Sequence, residues 1–84
     1  MSVEEILGKV QSLKQDTKEL SAGMAATGQN LQQNNTQLLA LVRGSSSGQT
    51  AVSAVSMAVR ALQDSALSLR ELERECEGFL ARNS

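Results

Sequence analysis

The chain has 84 residues, no His, Pro, Trp or Tyr, one Cys, one Phe, and a formal charge of −1 from eight Lys+Arg and nine Asp+Glu. Without His there is no imidazole base or ligand, and one thiol builds neither a structural zinc site nor an internal disulfide. Near-neutral charge without stacking rings argues against nucleic acid, and a 40% hydrophobic share argues against a disordered chain.

Helix 1 is expected from about residue 3 to 43. Ser2 followed by Glu5 reads as a capping box, the hydroxyl accepting from an early N–H and the carboxylate returning to the cap. Apolar residues then recur at alternating spacings of three and four: Val3, Ile6, Val10, Leu13, Leu20, Met24, Leu31, Leu38 and Leu41. Thr17, Thr27 and Asn34 fill the remaining places, so the line reads as a heptad seam. Asn34 is the polar seam residue expected to fix register or oligomeric state. Gly8, Gly23 and Gly28 fall inside this helix and, with Ala22, Ala25 and Ala26, give it a thin waist. That waist reads either as a weak spot that bends or as a place where another helix comes close.

The only cluster of turn residues is Gly44-Ser45-Ser46-Ser47-Gly48, so the turn is expected over about 44–48. Helix 2, about 49–82, follows with Ser46 and Gln49 as a second capping box. Its seam is Val52, Val55, Val59, Leu62, Ala66, Leu69, Glu73, Cys76 and Leu80, with a parallel line of Ala51, Ala58, Leu72 and Phe79 beside it. That stripe is wider than a two-helix seam needs.

A short turn makes the two helices antiparallel neighbours. Folded about 44–48, Leu41 is expected to face Val52, Leu38 Val55, Leu31 Leu62, Met24 Leu69, Leu13 Leu80, Thr27 Ala66 and Thr17 Cys76. The fold class is therefore all-α, a single two-helix hairpin over 1–84. A core this small usually needs help, so dimerisation or partner binding is expected to complete a four-helix bundle. Leu13, Leu31, Leu38, Leu41, Val52, Val55, Leu62, Leu69 and Leu80 form the expected hairpin core. Gly23, Met24, Gly28, Leu72 and Phe79 form the expected partner interface.

Between Glu19 and Arg60 the only ionisable side chain is Arg43, so charge gathers at the open end of the hairpin. The neutral half is coated with Gln29, Asn30, Gln32, Gln33, Asn34, Asn35 and Gln37, read either as a solvated amide face or as a surface covered without desolvating ions. Glu71, Glu73, Glu75 and Glu77 point in different directions around a helix and sit among Arg70, Arg74 and Arg82, a solvated ion-pair face. Gly44 and Gly48 follow no strand and precede no Lys, which excludes a phosphate loop, and the turn serines have no base in view. Cys76 reads as a small buried side chain, with an intermolecular disulfide or reactive thiol as the alternatives and Glu75 and Glu77 opposing the thiolate. No catalytic, metal or cofactor site is expected.

The chain opens Ser2-Val3-Glu4-Glu5-Ile6, acidic where a secretory leader would be basic, and has no membrane-length apolar run. Synthesis in the cytoplasm, with any export proceeding without a cleavable leader, is the expectation.

A hairpin of this length with a glycine elbow resembles the WXG family of small type VII (ESX-like) secretion substrates. The family's Trp-x-Gly turn motif corresponds here to Val42-Arg43-Gly44, and the opening Ser2-Val3-Glu4-Glu5-Ile6 looks like family starts. Val42 stands where the family has tryptophan. In place of the family's C-terminal Tyr-x-x-x-Asp/Glu export signal the chain has Phe79 and, four residues on, Asn83. That pair is similar to the Phe-x-x-x-Asp of small tryptophan-lacking helical proteins that accompany LXG-type toxins. The resemblance implies a non-enzymatic factor that pairs with itself, a related hairpin or the helical N-terminal region of a larger effector. A subunit of a secretion needle or helical filament, and a cytoplasmic helical adaptor, are the alternatives.

Overall fold

The structure, a computed structural model, describes residues 2–83. It is an all-helical hairpin of α1 (Val3–Leu41) and α2 (Ser46–Asn83), which pack antiparallel against each other. The Cα atoms span 62 × 18 × 14 Å. Absence of proline leaves both helices unbroken.

Local chemistry sets the ends. Ser2 has extended backbone geometry, and its Oγ accepts the Glu5 N–H at 3.1 Å while its carbonyl accepts from Ile6. Glu4 and Glu5 in the first turn complement the positive end of the helix dipole. At the far end Val42 N–H closes on the Leu38 carbonyl at 3.0 Å, and Ser45 N–H closes on the Val42 carbonyl at 2.9 Å. Gly44 sits between them at φ +86°, a conformation other residues enter only at a cost.

The turn therefore lies earlier than expected, and α2 begins at Ser46 rather than near residue 49. Its cap is Ser45, whose Oγ accepts the Gly48 N–H at 3.2 Å. Glycine stands third in the helix, so the expected Ser46–Gln49 box does not form. The physical reason is redundancy. Three serines in a row are equivalent caps, and the sharp bend at Gly44 brings the first of them into place. Gly48 is also required by packing, because a Cβ there would collide with the Val42 side chain, approaching its methyl carbons to 2.8 and 2.9 Å.

All nine expected seam positions of α2 turn inward: Val59, Ala66 and Cys76 are buried, and Val52, Val55, Leu62, Leu69, Glu73 and Leu80 are half-buried. In α1 only one of the two expected ridges does so. Val10, Met24, Leu31 and Leu38 are half-buried and Thr17 is buried. Their inward companions are Leu7, Lys14, Ser21, Gly28, Asn35 and Val42 rather than Ile6, Leu13, Leu20, Thr27, Asn34 and Leu41. The second ridge is displaced by one residue, so α1 is turned by about 50°, half the 100° step between neighbouring residues.

The pairing shifts with it. Asn35 meets Ser56, Lys14 meets Glu77, and Gly28 lies against Leu62, so paired positions sum to about 90 or 91 instead of the expected 93. An earlier turn and a rotated α1 both move the register this way.

The resulting core is thin. The buried hydrophobic residues are Val59, Ala66 and Cys76, while Thr17, Ser21 and Asn35 are buried polar residues. Thr17 and Ser21 satisfy their hydroxyls on carbonyls one turn back in α1, those of Lys14 and Lys18, at 2.9 and 3.0 Å. Fully burying a leucine contributes about 1.5–3 kcal/mol. The leucines on this seam remain half-buried and contribute only part of that.

Candidate functional site

The candidate site is a face of the hairpin, and it follows from the rotation of α1. Val3, Ile6, Leu13, Leu20 and Leu41 lie outside the seam, with Leu13 at 44%, Leu20 at 51% and Leu41 at 83% exposure. Leu13 and Leu41 were expected in the hairpin core and do not belong to it. The apolar stripe of α1 is covered by α2 on one side only, so its remaining line is left to solvent.

The same side of the hairpin carries the second line of α2. A groove lined by Leu20, Met24, Ser65, Ser68 and Leu69, with Asp64 at its edge, joins the outer ridge of α1 to the α2 line at Ser65. Heptad steps from Ser65 give Ala58 and Ala51 in one direction and Leu72 and Phe79 in the other. Ala51 and Ala58 are exposed, Leu72 is 39% exposed and Phe79 is half-buried. Across both helices this face holds Val3, Ile6, Leu13, Leu20, Thr27, Asn34 and Leu41 opposite Ala51, Ala58, Ser65, Leu72 and Phe79, with no ionised side chain on either line.

The opposite side carries the polar and ionic contacts between the helices. There Lys14 Nζ lies 3.6 Å from Glu77 Oε1, and Asn35 Nδ2 donates to Ser56 Oγ at 3.0 Å and to the Val52 carbonyl at 3.3 Å. A shallow groove on this side is lined by Ala25, Gln29, Gln63, Ala66, Leu67 and Arg70. Large apolar side chains are exposed on this side too, Leu39 at 44% and Leu67 at 59%, but they stand among Gln29, Gln63 and Arg70 rather than in an unbroken line.

Of the residues expected to meet a partner, Leu72 and Phe79 lie on the apolar face and Met24 lies half-buried beneath it. Gly28 does not. It is buried against α2, where a Cβ would stand 4.0 Å from that of Leu62. Gly23 is exposed with open space around it, beyond the apolar line. The waist therefore divides, Gly28 serving the hairpin itself.

Asn34, expected on the seam, is exposed, and its neighbour Asn35 takes the inward place at 6% exposure. Asn35 Oδ1 is buried with no hydrogen-bond partner in the structure. Sequence periodicity placed Asn34 on the seam, and the rotation of α1 brings Asn35 there instead.

Val42 of the turn motif is half-buried against Gly48, while Arg43 and Gly44 are exposed. Phe79 and Asn83 are joined by a hydrogen bond of 2.8 Å from Asn83 Nδ2 to the Phe79 carbonyl, one turn back in α2. Arg74 donates to Glu71 at 3.1 Å within α2. Cys76 is buried with its thiol free. Among the described residues no group of His, Cys, Asp and Glu could hold a metal ion, and no helix is long and apolar enough to cross a membrane.

What the arrangement offers chemically is a solvent-exposed apolar strip for another helical surface, with Asp64 at its margin. Comparison with protein-family models, curated proteins and solved structures gave no match to this chain.

Proposed function

We propose that the chain is a non-enzymatic docking factor: a WXG-like helical hairpin of a type VII secretion system that completes a four-helix bundle with a second helical surface. The occupants that fit are a second copy, a related hairpin, or the helical N-terminal region of a larger effector such as a toxin. The hairpin would be made in the cytoplasm and present or accompany that partner to the export machinery.

One observation carries the reading. α1 buries Thr17, Ser21 and Asn35 against α2 and leaves Ile6, Leu13, Leu20 and Leu41 outside. A hairpin that worked alone would gain by the reverse arrangement. The apolar ridge makes physical sense when another helix covers it, and with Asp64 only at the margin few ions need to be desolvated in doing so. The ridge runs from Ile6 to Leu41, most of the 62 Å length of the hairpin.

The test is light-scattering mass measurement of the purified chain, alone and mixed with the product of the adjacent gene. A discrete homodimer or a defined heterocomplex, weakened by Leu20→Asp, is expected. A monomer indifferent to that partner refutes the reading, and extended filaments in electron micrographs would favour a structural subunit instead.

A further inference from the structure

We propose that α1 has two seatings on α2, and that the hairpin hides its own docking ridge by turning α1 until a partner draws that ridge out. This rests on the reading above, that the outer ridge of α1 is a docking surface, and it supplies the regulation of that surface. The occupant of the ridge in the closed seating is α2 of the same chain.

Three features of the hairpin support two seatings. First, α1 carries two complete ridges beside the shared line of Val10, Thr17, Met24, Leu31 and Leu38, and the one now facing α2 is the more polar. Turning α1 by about 50° exchanges Lys14, Ser21 and Asn35 for Leu13, Leu20 and Asn34. Each seating thereby places one asparagine inward, Asn35 in the open form and Asn34 in the closed. In the form seen here that asparagine is incompletely satisfied, its Oδ1 lacking a partner.

Second, α2 presents one seam to both. Val52, Val55, Val59, Ala66 and Cys76 are small or β-branched and accept either ridge, while the half-buried Leu62, Leu69 and Leu80 have solvent beside them into which to repack.

Third, the turn holds alternative caps. Ser45 caps α2 now, and Ser46 and Ser47 carry the same hydroxyl one and two residues on, so a change of seating need not cost α2 its cap. A partner that covers Leu13 and Leu20 binds the open seating alone. Its apparent affinity is therefore lowered by the fraction of chains that are closed.

The experiment needs no partner. The chain has no Trp, so Leu20→Trp supplies a single fluorophore on the ridge, and Leu13→Trp serves as a second position should the first disturb folding. Into each is built a staple, Asn35→Cys with Ser56→Cys, whose native side chains are bonded at 3.0 Å only in the open seating. Acrylamide quenching is compared for the oxidised and reduced forms at concentrations where it no longer changes with dilution. The reduced chain should be quenched about twofold less or better, because this position is 51% exposed in the open form. Equal quenching in both forms, whether high or low, overturns the two seatings. That result leaves the docking reading intact, since the mass measurement decides it separately.

Discussion

Replacing Asn35 by leucine is expected to stabilise the hairpin, although it deletes two cross-helix hydrogen bonds. The bonds removed run from Nδ2 to Ser56 Oγ at 3.0 Å and to the Val52 carbonyl at 3.3 Å. Each contributes about 0.5–1.5 kcal/mol net, the longer one at the low end. Against this stands the buried Oδ1, whose missing partner costs about 1–3 kcal/mol. Leucine also returns about 1.5–3 kcal/mol of apolar burial at a site only 6% exposed, less whatever strain its larger volume introduces. Neither former partner is stranded. Ser56 lies one helical turn after Val52 and can donate its hydroxyl to that carbonyl, as Thr50 does to Ser46 at 3.1 Å. The balance favours leucine by about 1–2 kcal/mol, which for a domain of this size raises Tm by roughly 4–16 °C. Thermal melts followed by circular dichroism, at two protein concentrations to separate folding from association, give the answer. Asn34→Ala, at an exposed position, should leave the melt within about 0.5 kcal/mol of native. A lower Tm for Asn35→Leu would show that the amide is worth more than its unsatisfied oxygen costs, and would refute the reasoning.

Other substitutions separate the roles of individual residues. Gly8→Ala and Gly23→Ala meet open space inside α1 and should each raise stability by up to about 1 kcal/mol in the same melts. Gly48→Ala drives a methyl into Val42 and should lower it by about 1–3 kcal/mol, a result that would fail if the turn relaxed freely. Leu38→Asp puts a charge on the half-buried seam and should abolish most helical signal, whereas Leu41→Asp, at 83% exposure, should leave it unchanged in dilute solution. Phe79→Ala should weaken capture of a helical partner while most helicity survives, and equal loss of both would place Phe79 in the fold rather than on the docking face. Cys76, buried on the seam, should react with a thiol reagent slowly in buffer and rapidly in urea.

Much of the fold could be read from residue order, and the exceptions share a cause. The inward line of α2 was legible because its apolar residues leave a single plausible stripe, with Val59, Ala66 and Cys76 at its centre. In α1 the apolar stripe is broader than one neighbour can cover. Periodicity then reports its middle and cannot say which margin the neighbour takes. Leu13 and Leu41 were misplaced for that reason, and so were Asn34 and Gly28. The turn was legible as a glycine–serine elbow, but three like serines carried no signal for which one caps α2. The candidate face was legible in part: Leu72 and Phe79 were visible as surplus on α2, while Leu13 and Leu20 became surplus only once α1 was seen to be turned.

The slender outline of the hairpin has a consequence for measurement, and for transport if the proposed export holds. Its radius of gyration is 18.7 Å, against about 12 Å for a compact domain of the same length. In a sieving column such a rod travels ahead of a sphere of equal mass, so elution volume alone would report a monomer as a dimer. In a channel the same shape acts in the opposite sense. The folded chain passes lengthwise through any aperture wide enough for two helices side by side, with no need to unfold.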